Sequence, residues 1–175
     1  MTFPPLTPQA IVDKAREFLN TPWHHDARLK GVGIDCIGLI ACTFAELGVS
    51  VVDTRGYDAR DMFADMEAGI ALHADLIAEA VSGMGIVEPV ADGWAFSDFS
   101  QSDANDHILI PGDCLLIRRE GGPTPILNHC AIYTGDGCMI HAWNAAAIGE
   151  VVEHPIDRFW AESIVAVYRY KGLAV

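Results

Sequence analysis

The sequence predicts an α+β domain with its helices first and an antiparallel sheet after them. Two observations carry this prediction. Apolar residues recur at helical spacing in the first third of the chain, and the last third consists of short apolar runs separated by turn signals. Because 175 residues suffice for one core of ordinary size, we expect a single domain over residues 1–175.

Both predicted helices begin at a capping residue. Thr7 precedes Pro8, and a capping side chain followed by a first-turn proline is typical of a helix start. The second helix is predicted to open at Asp35 or Cys36, behind a loop rich in histidine, glycine and charge. Gly48 is suited to the C-terminal cap that ends it.

The predicted strands lie in the last third of the chain. They cover residues 114–117 after a Pro-Gly-Asp turn, 129–134 and 138–143 on either side of a Gly-Asp-Gly hairpin signal at 135–137, and 164–170. Neighbouring strands joined by short turns favour antiparallel pairing.

The stretch from about 49 to 107 is predicted to be an insertion in this domain, because its apolar content is too small for a core of its own. We expect a helix over residues 68–81 followed by irregular structure. The glycines and aspartates of the stretch suggest a segment that borders the functional cleft or contacts a partner.

Composition disfavours several functional classes. A net charge of −13 repels the phosphates of nucleic acids. No apolar run approaches the roughly 18 residues of a membrane-spanning helix, and residues 1–8 lack the basic and apolar stretches of a secretory signal. We therefore expect a soluble protein made in the cytoplasm, which another agent must carry if it acts outside the cell.

Cys36 is the candidate nucleophile among five cysteines, an odd number that leaves at least one thiol unpaired. The first turn of a helix presents unpaired N–H groups and the positive end of the dipole, which lower the pKa of a thiol and can hold an oxyanion. Gly38 leaves room where a substrate or a facing strand can approach. The alternative interpretation is an inert, buried cysteine at a helix start.

His129 and His141 are the candidate base and its orienting group. Each interrupts an otherwise apolar strand. Imidazole titrates in the range that a thiol's base requires, and a second polar group that touches the base fixes its tautomer. The alternative interpretation is a pair of hydrogen-bonded core histidines.

The hairpin determines whether these histidines can meet. If residues 135–137 form a three-residue loop, Ala131 faces His141 and His129 faces Trp143. The two histidines then share one face of the sheet as diagonal neighbours, close enough for their rings to touch. A two-residue turn would place them on opposite faces.

A structural zinc site is the alternative use of this hairpin, which contains four residues of zinc-ligand type: His129, Cys130, Cys138 and His141. His24 and His25 could add ligands from the loop before the second helix. In the predicted register, however, the two cysteines and the two histidines lie on opposite faces of the sheet, so they cannot surround one ion.

Five short segments, in this order along the chain, resemble the NlpC/P60 family of cell-wall cysteine peptidases, which have a papain-like core. The segments are Ala15–Trp23, Gly33–Leu39 with the Asp-Cys-Ile-Gly-Leu motif, Pro111–Leu115, His129–Gly135 and Met139–Ala142. The resemblance covers both ends of the chain and skips the middle. Ile37 stands where the family usually has serine, and Trp23 where it usually has tyrosine.

The resemblance implies hydrolysis of peptide bonds in peptidoglycan stem peptides, typically after a D-glutamyl residue. It implies Cys36 as nucleophile, His129 as base and His141 as the third polar residue, without metal or cofactor. Asp35 and Trp23 are expected to line the substrate cleft.

The long middle stretch is similar to the family branch found in phage tails and gene-transfer-agent particles, so delivery by a particle, with tail proteins as partners, is expected. Two alternatives remain. One is a tail hub or plug protein that keeps the site but acts by binding. The other is a cytoplasmic thiol amidase or acyltransferase.

Overall fold

A computed structural model describes residues 6–49, 86–92, 109–119, 126–144, 149–170 and 173. Two helices, α1 (Pro8–Arg16) and α2 (Cys36–Glu46), are separated by a short hairpin of β1 (Arg28–Leu29) and β2 (Gly33–Ile34). Both helices contact the strands that follow them in the sequence. The predicted α+β class, with N-terminal helices on a C-terminal antiparallel sheet, is therefore confirmed.

The main sheet has six strands, with a one-turn helix, α3 (Arg158–Ala161), before the last of them. The strands are β3 (Ile86–Asp92), β4 (Cys114–Arg119), β5 (Ile126–Gly135), β6 (Cys138–Ala142), β7 (Val151–Pro155) and β8 (Ile164–Tyr170). Their order is β3-β8-β4-β5-β6-β7, and all neighbours are antiparallel.

Both helices start where the sequence predicts. The side chain of Thr7 accepts a hydrogen bond from the N–H of Ala10, and that of Asp35 accepts one from Gly38. Each cap satisfies a backbone donor that has no partner inside the helix. The longest described helix is α2 with 11 residues, so none of the described helices is long enough to cross a bilayer.

The sheet separates two apolar cores. The helix-side core joins α1 and α2 to one face of the strands and contains Phe18, Phe44, Ile132 and Ile140, among others. The far-side core contains Leu115, Ile117, Tyr133, Met139, Trp160 and Val167. Alternation along β5 and β6 sends successive residues to opposite cores, and each large side chain so buried contributes about 1.5–3 kcal/mol.

Two edge strands were not predicted. Residues 86–92, expected to be irregular, form β3 and pair with β8, and β7 pairs with β6. Pro89 lies within β3 beside register shifts, which an edge strand tolerates because one side of its backbone needs no partner. The helix predicted over 68–81 lies outside the described residues, as does most of the inserted stretch.

Candidate active site

Cys36 is the first residue of α2, directly after the capping residue Asp35. β2 leads straight into it, and the N–H of Ile34 donates to the carbonyl of Pro22 at 3.0 Å. Cys36 is partly exposed, and the residues that follow it in the first turn are buried. The residue therefore lies at the positive end of a helix dipole and reaches the protein surface.

Asp35 is enclosed, with 3% of its surface exposed. One carboxylate oxygen accepts from the N–H of Gly38 at 2.8 Å and from Nη1 of Arg28 at 2.9 Å, and the other accepts from the N–H of Asp26 at 2.6 Å. Instead of lining an open cleft, the carboxylate ties the loop before α2 to the helix start. It therefore acts on Cys36 by fixing the turn that carries it.

Gly38 is in contact with that same loop. A Cβ at this position would lie 2.6 Å from the carbonyl oxygen of Ala27 and 2.8 Å from Nη1 of Arg28. The close approach expected at Gly38 is thus made by the protein's own chain, and the glycine is buried against it. Its predicted contact with substrate has no support in this packing.

Two residues of β5, Cys130 and His129, form hydrogen bonds with the Cys36 side chain. The Cys130 side chain is the largest influence that lowers the pKa of Cys36 well below the ordinary thiol value, and the hydrogen bond and charge of His129 lower it further, against burial, which raises it. The pKa of Cys130 itself is raised well above the ordinary value, chiefly by its bond to Cys36 and by burial. Because Cys36 begins α2, the helix dipole favours the thiolate at Cys36 and leaves Cys130 as the donor.

His129 and His141 share one face and touch. His129 Nε2 lies 2.6 Å from His141 Nδ1, and both side chains are buried. The pairs Ile132–Ile140 and Tyr133–Met139 give the register in which Ala131 stands opposite His141. The predicted diagonal contact is confirmed.

The turn that produces this register differs from the predicted three-residue loop. Gly135, not Thr134, pairs with Cys138, so the turn has two residues, Asp136 and Gly137, both at positive φ. A register irregularity between Tyr133 and Gly135 adds one residue to β5. That bulge cancels the change of face that a two-residue turn alone would cause.

A third histidine, which the sequence reasoning missed, continues the contact. His154 on β7 places its Nε2 2.9 Å from Nε2 of His141, and its Nδ1 2.7 Å from the carbonyl oxygen of Pro155. Its strand was not predicted, so nothing in the sequence placed this residue beside the other two. A histidine two residues beyond the register partner of His141 is the only signal, and it requires knowledge of the β6–β7 pairing.

Two tryptophans enclose the histidines: Trp143, which the predicted register places opposite His129, and Trp160, which the sequence reasoning missed. Trp160 of α3 is 4.9 Å from His141 and 6.0 Å from His129, and Trp143 is 5.8 Å from His129, between ring centroids. The two indoles meet edge to face at 4.4 Å. They cover the buried imidazole contact on this side of the sheet.

Trp23 lies beside the strand that leads to Cys36. Its backbone forms a parallel bridge with Ile34, two residues before Cys36. Trp23 is partly exposed, and its ring stacks on that of His25 with 6.4 Å between the ring centroids. This position is compatible with the predicted place beside a substrate.

The four residues of the alternative zinc site are divided between the two faces of the sheet. Cys130 packs in the helix-side core, whereas His129 and His141 contact Trp160 on the far side. Among the described residues, no group of three metal-ligand side chains converges on one point. Cys130 instead takes part in the site as the donor to Cys36.

Comparisons with known proteins identify a family and a fold. The model of the NlpC/P60 family matches residues 20–169. A comparison with curated proteins gives no match.

Several solved structures are similar. An NlpC/P60 family protein from Bacillus cereus has a TM-score of 0.60 and 18% identity over 96% of this chain and 41% of its own. NlpC1 from Trichomonas vaginalis has a TM-score of 0.55 and 16% identity, over 93% of this chain and 44% of its own. The peptidoglycan hydrolase RipB from Mycobacterium tuberculosis has a TM-score of 0.52 and 16% identity, over 93% of this chain and 64% of its own.

At these identities the likeness shows the fold alone. This chain spans less than half the length of the first two proteins. The family model, by contrast, covers both segments that build the site, around Cys36 and around His129 and His141. The chain belongs to the NlpC/P60 family.

Proposed function

We propose that this protein is a cysteine endopeptidase that hydrolyses peptide bonds in the stem peptides of peptidoglycan. The observation that carries the proposal is the contact series Cys36–His129–His141 at the N-terminus of α2. A thiol of lowered pKa, a base and an orienting group within hydrogen-bond reach are the requirements of thiol acyl transfer. Family membership supports the choice of substrate.

The first half-reaction uses the thiolate of Cys36 and the protonated His129. The sulfur attacks the carbonyl carbon of the scissile amide, and the oxyanion is held by first-turn N–H groups of α2. When the tetrahedral intermediate collapses, the C–N bond breaks and His129 gives its proton to the leaving amine. The acyl group remains on sulfur as a thioester.

The second half-reaction returns the enzyme to its starting state. His129, now neutral, takes a proton from water, and the hydroxide so formed attacks the thioester carbonyl. Collapse of this second intermediate releases a carboxylic acid and restores the thiolate and the imidazolium. His141 holds the ring of His129 in place through both steps, as the third group of a triad does.

Trp23 and Asp35, the two residues predicted to line the substrate cleft, have different roles in this proposal. Trp23, partly exposed beside the strand that leads to Cys36, is suited to contact a sugar or peptide face. Asp35 acts through the loop it anchors, since both of its carboxylate oxygens already accept hydrogen bonds. The bond after a D-glutamyl residue is proposed as the cleavage point on the resemblance of the motifs.

Digestion of purified peptidoglycan tests the proposal. The protein is incubated with sacculi of defined stem composition, and the soluble fragments are identified by mass spectrometry. We expect peptides with a new amino terminus, and none from the Cys36→Ala variant. If sacculi bind the protein but release no fragment, the hub or plug alternative is correct, and if only small soluble amides are cleaved, the amidase alternative is correct.

We further propose that a phage-type particle delivers the enzyme to the wall. The support is the long stretch between the two motif groups, which resembles the particle-borne branch of the family. Antibody detection and peptide mapping of purified particles from the source organism test it. Exclusive recovery from the particle-free fraction would contradict it.

A further inference from the structure

We propose that His154 is a fourth member of the site, a positioning residue that sets the tautomers of His141 and His129 and thereby favours the ion pair of the Cys36 thiolate with the His129 imidazolium. The inference rests on the proposed function. It extends the site from two strands to three.

The argument starts at the carbonyl of Pro155. A carbonyl oxygen can only accept, so the 2.7 Å contact with His154 Nδ1 requires a proton on that nitrogen. In neutral His154 the other nitrogen, Nε2, is then an acceptor. The 2.9 Å contact between this Nε2 and Nε2 of His141 therefore needs the proton on His141.

The same reasoning continues to the base. With its proton on Nε2, neutral His141 has an accepting Nδ1, and the 2.6 Å contact with His129 is donated by His129 Nε2–H. His129 also hydrogen-bonds Cys36, and because Nε2 is engaged by His141, Nδ1 is the ring nitrogen left for that contact. It can accept the thiol proton, and once it has done so both N–H groups of the imidazolium have acceptors, the thiolate and His141.

The opposite arrangement would disable the base. If His154 offered a donor at Nε2, His141 would have to carry its proton on Nδ1, directed at His129 Nε2. An imidazolium at His129 would then place two N–H groups against each other 2.6 Å apart. The ion pair with Cys36 would be disfavoured, and the thiolate would form only at higher pH.

The positions on the sheet explain why the three rings form one line. His129 and His141 are diagonal neighbours across β5 and β6, and His154 stands two residues beyond Val152, the register partner of His141. The same diagonal step is therefore repeated on the next strand. Trp160 covers the ring of His154 at 5.5 Å between ring centroids.

Among the described residues, His141 is the titratable side chain that contacts His154. Glu153, the neighbour in sequence, points to the other face of β7 and forms a two-pronged ion pair with Arg16 of α1 at 2.7 and 2.9 Å. Trp160 on α3 carries no charge, and the side chain of Asp157 caps α3 by accepting from the N–H of Trp160.

Nitrogen-15 NMR of the histidine rings tests the tautomers directly in the unaltered protein. At a pH where all three rings are neutral, we expect the proton on Nδ1 of His154, on Nε2 of His141 and on Nε2 of His129. A proton on Nε2 of His154 would overturn the inference. This measurement does not depend on whether peptidoglycan is the substrate.

Two variants test the consequence for the thiol. The pH dependence of Cys36 alkylation by iodoacetamide is followed by peptide mapping. In His154→Leu, which has no acceptor, the rate at about pH 6 should fall roughly tenfold, far less than the ~10⁴-fold that follows when the wrong tautomer is imposed directly on a base. His154→Gln, whose amide oxygen can accept a hydrogen bond from His141, should recover most of the alkylation rate at about pH 6.

Glu153→Gln is the matched control, because it weakens an ion pair on the same strand and leaves the histidines untouched. We expect it to lower the thermal midpoint with no change in the alkylation profile. A wild-type profile in His154→Leu, or an equal shift in Glu153→Gln, would overturn the inference. A shifted profile in His154→Leu together with inactivity of the wild-type protein on peptidoglycan would support the inference while rejecting the proposed function.

Discussion

Cys36 and the histidines of the candidate site are held in place by two different kinds of structure. Cys36 is positioned by contacts that are local in the sequence, the cap of α2 and the bonds from Asp35 back to Asp26 and Arg28. The histidines stand on three strands and meet through contacts between residues 12 and 13 positions apart.

This difference separates the effects of substitutions. A change in the loop or cap around Cys36 alters a few hydrogen bonds and the dipole at one helix end. A change in the strands alters the register, and a slip of one residue would remove every histidine contact at once. We call Cys36 with its cap and loop the nucleophile half, and the strands that carry the histidines the histidine half. We expect changes in the nucleophile half that leave the thiol in place to act mainly on stability, and changes in the histidine half to act on thiol reactivity and catalysis.

The largest expected effect is the loss of the nucleophile. Cys36→Ala should lower the rate of fragment release from peptidoglycan by at least about 10³-fold, because no other described thiol combines a lowered pKa with a helix N-terminus. Cys138→Ala, which removes a partly exposed thiol at the hairpin, is the matched control and should retain full activity. Full activity of Cys36→Ala would refute the mechanism.

The next effect concerns the cap of the nucleophile helix. Asp35→Ala removes both the cap at Gly38 and one partner of an ion pair with Arg28, in which the two side chains are 4% and 8% exposed. We expect a loss of about 3 kcal/mol in unfolding free energy by urea titration. Asp157→Ala, which removes only the exposed cap of α3, should cost about 1 kcal/mol.

Equal costs in these two variants would mean that the Asp35–Arg28 pair contributes nothing beyond capping. Asp35→Asn keeps an amide oxygen for the cap, but it carries no charge for Arg28 and sets its NH2 group against the N–H of Asp26. A cost well below that of Asp35→Ala would therefore show that capping supplies most of the stabilisation.

The sequence predicts the nucleophile half well because its signals are short. Thr7, Asp35 and Gly38 announce caps and a close approach within a few residues. The approach at Gly38 was predicted, but not that the loop at Ala27 and Arg28 fills it, since the path of a loop is not encoded in its local pattern.

The histidine half is predictable only as far as one hairpin extends. The register that joins His129 to His141 follows from alternation around a turn, although the turn itself proved to be two residues and a bulge. His154 and Trp160 come from β7 and α3, whose pairing depends on the whole sheet. The spacing of apolar residues along the chain gives no information about contacts made by a strand that it does not predict.

A smaller effect tests the turn that sets the register. Gly137 has φ +69° and a Cβ there would meet nothing within 4 Å, so Gly137→Ala costs only backbone strain, about 1 kcal/mol. Gly31 in the β1–β2 hairpin, at φ +74° with equally open surroundings, is the matched control. Both variants should lose the same stability by urea titration, but only Gly137→Ala should slow fragment release several-fold. Equal activities would show that the inner strand pairs alone fix the histidines.

The smallest expected effect concerns the hydrogen bond between the side chains of Cys130 and Cys36, where the two halves meet. The Cys130 side chain lowers the pKa of Cys36, yet a thiol is a weak donor, and both the backbone N–H of Cys130 and His129 still bond to the sulfur in Cys130→Ala. We expect the pKa of Cys36 to rise slightly in this variant. Less thiolate is then present at about pH 6, and alkylation slows there, while the rate at high pH is unchanged. Cys130→Ser keeps a donor and should retain the original profile, so an unchanged or faster rate in Cys130→Ala would show that His129 and the helix start alone set the reactivity of Cys36.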